Sequence, residues 1–148
     1  MSAPPHSAKF HFYFVYAGSL PFIILAVFLL CEVELVPYLG QTINILATYG
    51  LVISVFLAGV HWGQYLASVD GSPIYLPIIS NIIAVFVWVA YLVMPIHVYL
   101  ISLIVVFALL VAIDFKLGKT KQISHSYFEL RLRVTFVVLI SLAVAALT

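Results

Sequence analysis

Residues 43–67, INILATYGLVISVFLAGVHWGQYLA, contain no Asp, Glu, Lys or Arg, yet they hold Ser54, His61, Trp62 and Gln64. About 20 apolar residues in a helix cross a hydrocarbon core roughly 30 Å thick, so this stretch is long enough to span a bilayer. Its reading turns on whether the polar residues interrupt a lipid-facing helix or share one face. At about 100° per residue, His61 falls on a stripe with Gly50, Ser54, Leu57, Gln64 and Ser68, flanked by Tyr65. Gly59, Gly63 and Ala67 fall on a second stripe, roughly 160–240° away, which forms a small-xxx-small ridge that another helix can approach closely. Both stripes are expected to face protein. That makes this span the central helix, with lipid contact confined to strips near Ile53 and Val60 and near Leu51 and Val55.

Composition points the same way. The chain has 148 residues, 66% hydrophobic and 7% charged, with mean hydropathy +1.26, whereas soluble domains are roughly 45–50% apolar and about 25% charged. There are too few charged side chains to solvate the surface of a soluble domain. Net charge is +1, and the basic residues are scattered without the dense stripe that nucleic-acid binding requires. Nucleic acid is therefore not an expected partner, and the lipid bilayer is. Cys31 is the only cysteine, which excludes an intramolecular disulfide and a thiolate metal cluster within one chain. The first apolar run is too long for a signal-peptide core, and no Arg- and Ser-rich leader precedes it, which favours a bacterial chain over an imported mitochondrial one.

Five spans are expected, at about 12–30, 43–67, 74–94, 98–113 and 128–147, in one all-α integral membrane domain covering 1–148. The breaks between them carry turn residues: Val36-Pro37-Tyr38-Leu39-Gly40, Asp70-Gly71-Ser72-Pro73, Met94-Pro95, and Lys116 through Ser126. Connections this short make neighbouring helices antiparallel. Pro73 suits the first turn of span three, whereas Pro21 and Pro77 are expected inside spans, where they would kink them. With five spans, Lys9, Lys116, Lys119, Lys121, Arg131 and Arg133 all fall on one side, while Glu32 and Glu34 fall on the other. The positive-inside rule then puts the N-terminus in the cytoplasm and the C-terminus outside.

The strongly polar intramembrane residues cluster toward that cytoplasmic side. His61 lies roughly 10 Å from the cytoplasmic end of its span at 1.5 Å per residue, and Asn81 lies at a similar depth. Asp114 is expected to close span four on the same side, and Arg131 to open span five. Aspartate and arginine are costly at the bilayer centre, by about 2.5–3.5 kcal/mol on insertion scales, and less so near an interface. Asp114 and Arg131 therefore read either as interfacial anchors forming an ion pair or as functional groups. His61 reads either as a satisfied structural histidine or as a proton- or ligand-handling one. Glu129 and Arg133 have the favourable i to i+4 order for a local helix pair. His97 lies near the opposite surface, so no single haem can bridge it and His61. His125 stands in a loop, and His61, Asp114 and His125 lack helical metal-ligand spacing. No phosphate loop, hydrolase elbow or paired-carboxylate signature is present. Trp62 and Trp88 read as packing or interfacial aromatics.

Pro21-Phe22, Tyr49-Gly50 with Ser54, Phe56-Leu57, Gly59-Val60-His61-Trp62-Gly63, Asp114, and Leu130-Arg131 with Arg133 and Thr135 together resemble a family of small bacterial and mitochondrial membrane proteins. That family carries a domain of unknown function and is related to transmembrane protein 69. The resemblance implies a five-span protein of the bacterial or mitochondrial inner membrane, and it brings no activity. The leading expectation is a non-enzymatic structural or accessory bundle without a cofactor. In it, a polar cluster of His61, Trp62, Gln64, Asn81, Asp114 and Arg131 packs the helices or engages a membrane-protein partner or a second copy. The alternative is a proton- or small-solute-translocating unit using His61 and Asp114. A further alternative is a haem- or quinone-binding accessory subunit of a respiratory enzyme.

Overall fold

The computed structural model describes residues 13, 15–67, 73–119 and 125–148. Its main helices are α1 (Leu20–Leu30), α2 (Thr42–Ala67), α3 (Tyr75–Val93), α4 (Ile96–Lys119) and α5 (His125–Leu147). Four of them, α2 to α5, are long and apolar enough to cross a membrane, and a shorter apolar helix runs over Val15–Leu30. Each helix packs against its neighbours in the chain, α5 closes back onto α1, and α2 touches α4 across the middle. By contrast, α2 and α5 barely meet. The result is a ring of helices in which α4 packs against α2, α3 and α5.

Pro77 stands in a first turn, whereas Pro21 follows the Gly18-Ser19 turn that interrupts the apolar helix over Val15–Leu30. Pro21 opens α1, and Pro77 is the third residue of α3, whose N-cap is Ile74. In the first turn of α3 the missing N–H has no intrahelical acceptor, so Pro77 does not kink its helix, whereas the break at Gly18-Ser19 just before Pro21 is the distortion expected there. Pro73 precedes the helix instead of starting it, and its carbonyl accepts the Leu76 N–H. Just before α1 the chain turns at Gly18-Ser19. There the Ser19 hydroxyl donates to the Tyr16 carbonyl (2.8 Å), and the Tyr49 hydroxyl of α2 donates to the Gly18 carbonyl (2.9 Å).

A Schellman turn ends α1: the Val33 and Glu32 N–H groups donate to the Phe28 and Leu29 carbonyls, with Glu32 at φ 59°. The segment expected to be only a turn forms a small antiparallel hairpin, β1 (Leu35–Val36) with β2 (Gly40–Gln41). Gly40 takes φ 101°, a conformation that disfavours side chains. Thr42 ties the hairpin to α2 through its hydroxyl to the Val33 carbonyl and its N–H to the Glu34 carbonyl. Met94 is extended (ψ 146°) because Pro95 follows it, and the chain turns there into α4.

Span four extends beyond its expected range, to Lys119. Lys116 and Lys119 occupy its last turn, where cations complement the helix C-terminus. Its inner face supplies Tyr99, Leu100, Leu103, Phe107 and Leu110, all essentially inaccessible, to a core shared with Phe22, Leu46, Ala47 and Val87. Phe22 meets Phe107 and Tyr49 edge-on, with centroids 5.9 and 5.0 Å apart. At Gly50 a Cβ would fall 2.6 Å from Leu103 Cδ1, so this glycine makes room for the α4 side chain.

The outer surface is as oily as the core. Val52, Phe56, Trp88, Val89, Ile101, Val105, Phe136 and Ile140 are all exposed. Apolar surface around a whole bundle far exceeds the patches soluble monomers tolerate, and with helices of this length it marks a membrane protein. Gly59, Gly63 and Ala67 lie on this outer surface, and a Cβ at Gly59 or Gly63 would meet nothing within 4 Å. Within the chain, therefore, only the His61 stripe of α2 meets other helices. A helix in a ring has one inner face, and the His61 stripe takes it, leaving Ile53, Val60, Leu51 and Val55 half-buried at the seams.

Candidate functional site: a buried charge triad beside an apolar cavity

His61, Asp114 and Arg131 converge from α2, α4 and α5 near the end of the bundle opposite the hairpin. Asp114 is the hub. His61 Nε2 lies 2.8 Å from its Oδ1, while Arg131 Nε and Nη2 each lie 3.0 Å from its Oδ2. A carboxylate facing a guanidinium only accepts hydrogen bonds, so His61 donates from Nε2. The side chains of His61, Asp114 and Arg131 are 2%, 1% and 7% exposed, which places the triad out of reach of solvent.

Helix phase explains the convergence. Gly50, Ser54, Ala58 and His61 are the buried line of α2. Leu103, Val106, Phe107, Leu110, Ile113 and Asp114 continue the inner face of α4. Asp114 does not close span four; it stands more than a turn inside the helix. Arg131 likewise lies within α5, next to buried Leu130 and one turn before buried Thr135.

The other expected members separate from this centre. Asn81 is exposed and lines an outer groove with Ile82, Val85 and Phe86. The physical reason is its neighbour: Ser80 is buried and its hydroxyl donates to the Ala58 carbonyl, so the next residue, about 100° round the helix, points away. Trp62 faces outward at 39% exposure. Gln64 is half-buried, and its Oε1 has no hydrogen-bond partner among the described residues. Glu129 and Arg133 lie on the exposed side of α5. Lys9, Lys121, Ser68 and the Asp70-Gly71-Ser72 turn lie outside the described residues, as does the side chain of His125. Among the described residues, no group of three His, Cys, Asp or Glu side chains converges on a metal position.

Arg131 also faces a cavity of about 250 Å³. The cavity fills the gap that α2 and α5 leave by barely touching. Phe107 of α4 forms its floor, and Val15, Gly18 and Phe22 at the start of the chain's first helical region cover it. Tyr127, Arg131 and Thr135 supply its polar wall, and the remaining lining is apolar. Sequence reasoning missed Ser80, Tyr127 and Thr135 as site elements. Of these, Ser80 and Thr135 carried a usable signal: a small hydroxyl at helical spacing from buried apolar neighbours.

At the other end of the bundle, Glu32, Glu34, Gln41, His97 and Thr148 surround an open vestibule of about 490 Å³. His97 stands 17 positions before Asp114 in the same helix, roughly 25 Å away at 1.5 Å per residue.

No curated protein and no solved structure matches the chain at a significant level. A family model described as a protein of unknown function (DUF3429) matches residues 7–147. The match covers nearly the whole chain and includes every helix and all three triad residues, and the chain belongs to this family.

Proposed function

We propose that this protein is a five-span, non-enzymatic accessory protein of the bacterial inner membrane, or of the mitochondrial inner membrane in a eukaryotic cell, in which the His61–Asp114–Arg131 triad clamps three helices together. The N-terminal tail and the basic ends of α4 and α5 lie in the cytoplasm, as the segregation of Lys116, Lys119, Arg131 and Arg133 from Glu32 and Glu34 supports. Kinship with transmembrane protein 69 fits this reading. The observation that carries it is the use of both Asp114 oxygens by partners on two other helices, 2.8–3.0 Å away. A carboxylate held from both sides by fixed donors serves to fix geometry. It also cancels the guanidinium charge that would otherwise be uncompensated in an apolar interior. A partner helix, from another membrane protein or a second copy, would come closest along the outward Gly59, Gly63 and Ala67 stripe.

Translocation through His61 and Asp114 has less support. Between the triad and the hairpin end, the core contains Leu46, Val87, Leu100 and Leu103. Ser54 is committed to the Leu51 carbonyl and Ser80 to that of Ala58. A proton path needs polar groups that continue beyond the triad.

The test compares Arg131→Gln with the double variant Asp114→Asn/Arg131→Gln. The clamp reading expects the single change to lower the thermal unfolding midpoint in detergent more than the double one, because only the single change strands a buried charge. Proteoliposomes should show the same pH- and voltage-driven flux as empty vesicles. Flux above that background, lost in Asp114→Asn, would replace the clamp by transport.

A further inference from the structure

The clamp reading makes no use of the cavity between α2 and α5. At about 250 Å³ it exceeds the roughly 150 Å³ apolar cavity that is known to admit benzene. It therefore has room for a ring and its first substituents. Its walls are specific in two ways. Four aromatic side chains, Phe22, Phe56, Phe107 and Tyr127, surround it, and one charged group, Arg131, is nine-tenths buried at its polar end. Phe56 is also 66% exposed on the outer surface, so this side of the cavity adjoins the position that lipid chains occupy.

The charge balance selects the ligand head. Asp114 already supplies the counter-charge of Arg131 at 3.0 Å. A carboxylate or phosphate entering the cavity would have to compete with Asp114 for the same guanidinium. A neutral carbonyl oxygen adds no charge. It can accept from a guanidinium, which has five N–H donors and gives only part of them to Asp114. The aromatic walls favour a flat ring carrying that carbonyl, and a membrane-facing opening favours an apolar chain attached to it.

We propose that the cavity between α2 and α5 binds the ring of a prenylated quinone, a neutral carbonyl-bearing ring on an apolar chain, with Arg131 donating to a ring carbonyl and the chain leaving past Phe56 into the bilayer. The proposal concerns binding alone. It stands or falls separately from the clamp, because its main variant leaves the triad untouched.

The test uses the full chain in nanodiscs of a saturated phosphatidylcholine, titrated with a decyl-substituted benzoquinone and read by native mass spectrometry. Decylbenzene, which lacks an acceptor, and dodecanoate, which is anionic, serve as comparators. The expected result is saturation at one quinone per chain, with both comparators at least about tenfold weaker. Val134→Phe, which pushes a ring into the cavity from α5, is expected to weaken quinone binding about tenfold or more with an unchanged unfolding midpoint. If that variant does not fold, Leu57→Phe fills the cavity from α2 instead. Any of four results would overturn the proposal: no saturation, decylbenzene binding as tightly as the quinone, dodecanoate binding preferentially, or a folded cavity-filling variant with wild-type affinity.

Discussion

The two ends of the bundle use the same kinds of side chain to opposite effect. At the hairpin end, Glu32, Glu34 and His97 stand exposed around an open vestibule. At the other end, His61, Asp114 and Arg131 are sealed inside the bundle and bonded to one another. Histidine and carboxylate occur at both ends, so residue type does not distinguish them. Burial does. A solvated charge needs no fixed partner and contributes little, whereas a buried one must be matched and then constrains every helix that supplies a match.

If that contrast is right, Arg131→Gln should have the largest effect of any single change. It removes the guanidinium that Asp114 is paired with inside the bundle, and breaking a buried pair from one side costs about 3–5 kcal/mol. Denaturation by a titrated ionic detergent would register it, and a loss below about 1 kcal/mol would erase the difference between the two ends. Gly50→Ala comes next. Its new methyl would meet Leu103 Cδ1 at 2.6 Å, and overpacking of this kind costs about 1–3 kcal/mol. The same substitution at Gly59, where nothing lies within 4 Å, should be neutral or stabilising by up to about 1 kcal/mol through helix propensity. The pair thus compares the inner and outer faces of one helix by unfolding midpoint. Removing the Ser80 hydroxyl should cost about 1 kcal/mol, the typical net worth of one buried hydrogen bond. At the hairpin end, Glu34→Gln should shift stability by no more than about 0.5 kcal/mol. A larger shift there would show that the vestibule carries an interaction comparable to the triad.

Much of this was legible in the sequence, and the reasons differ from residue to residue. Hydropathy runs bounded by Pro, Gly and Asp place α2, α3 and α5 to within a few residues, but not α1, which is shorter than the expected 12–30 because the chain turns at Gly18-Ser19, nor α4. There Asp114 and Lys116 looked like a terminus because charges usually stand at span ends. The helix continues because Asp114 is neutralised from two sides and Lys116 and Lys119 suit a final turn. His61 was found by projecting a single helix, since its stripe is defined by local spacing alone. Asn81 failed for the complementary reason. Depth along a helix says how far a residue lies from the end and nothing about which way it points, and the small hydroxyl of Ser80 takes the inner position. The Gly59, Gly63 and Ala67 stripe turns outward because a helix in a ring has one inner face, and the His61 stripe takes it. The cavity was out of reach of sequence reasoning, since it arises from two helices, α2 and α5, that fail to meet.

The order of the triad along the chain bears on how the bundle is built. A chain made from its N-terminus delivers His61 first, Asp114 much later and Arg131 last. Until α5 arrives, Asp114 lacks the guanidinium that pairs with it and has His61 as its one triad partner. Docking of the final helix therefore brings both the last packing surface and the counter-ion, so it acts as a checkpoint at which an incomplete chain differs sharply from a finished one.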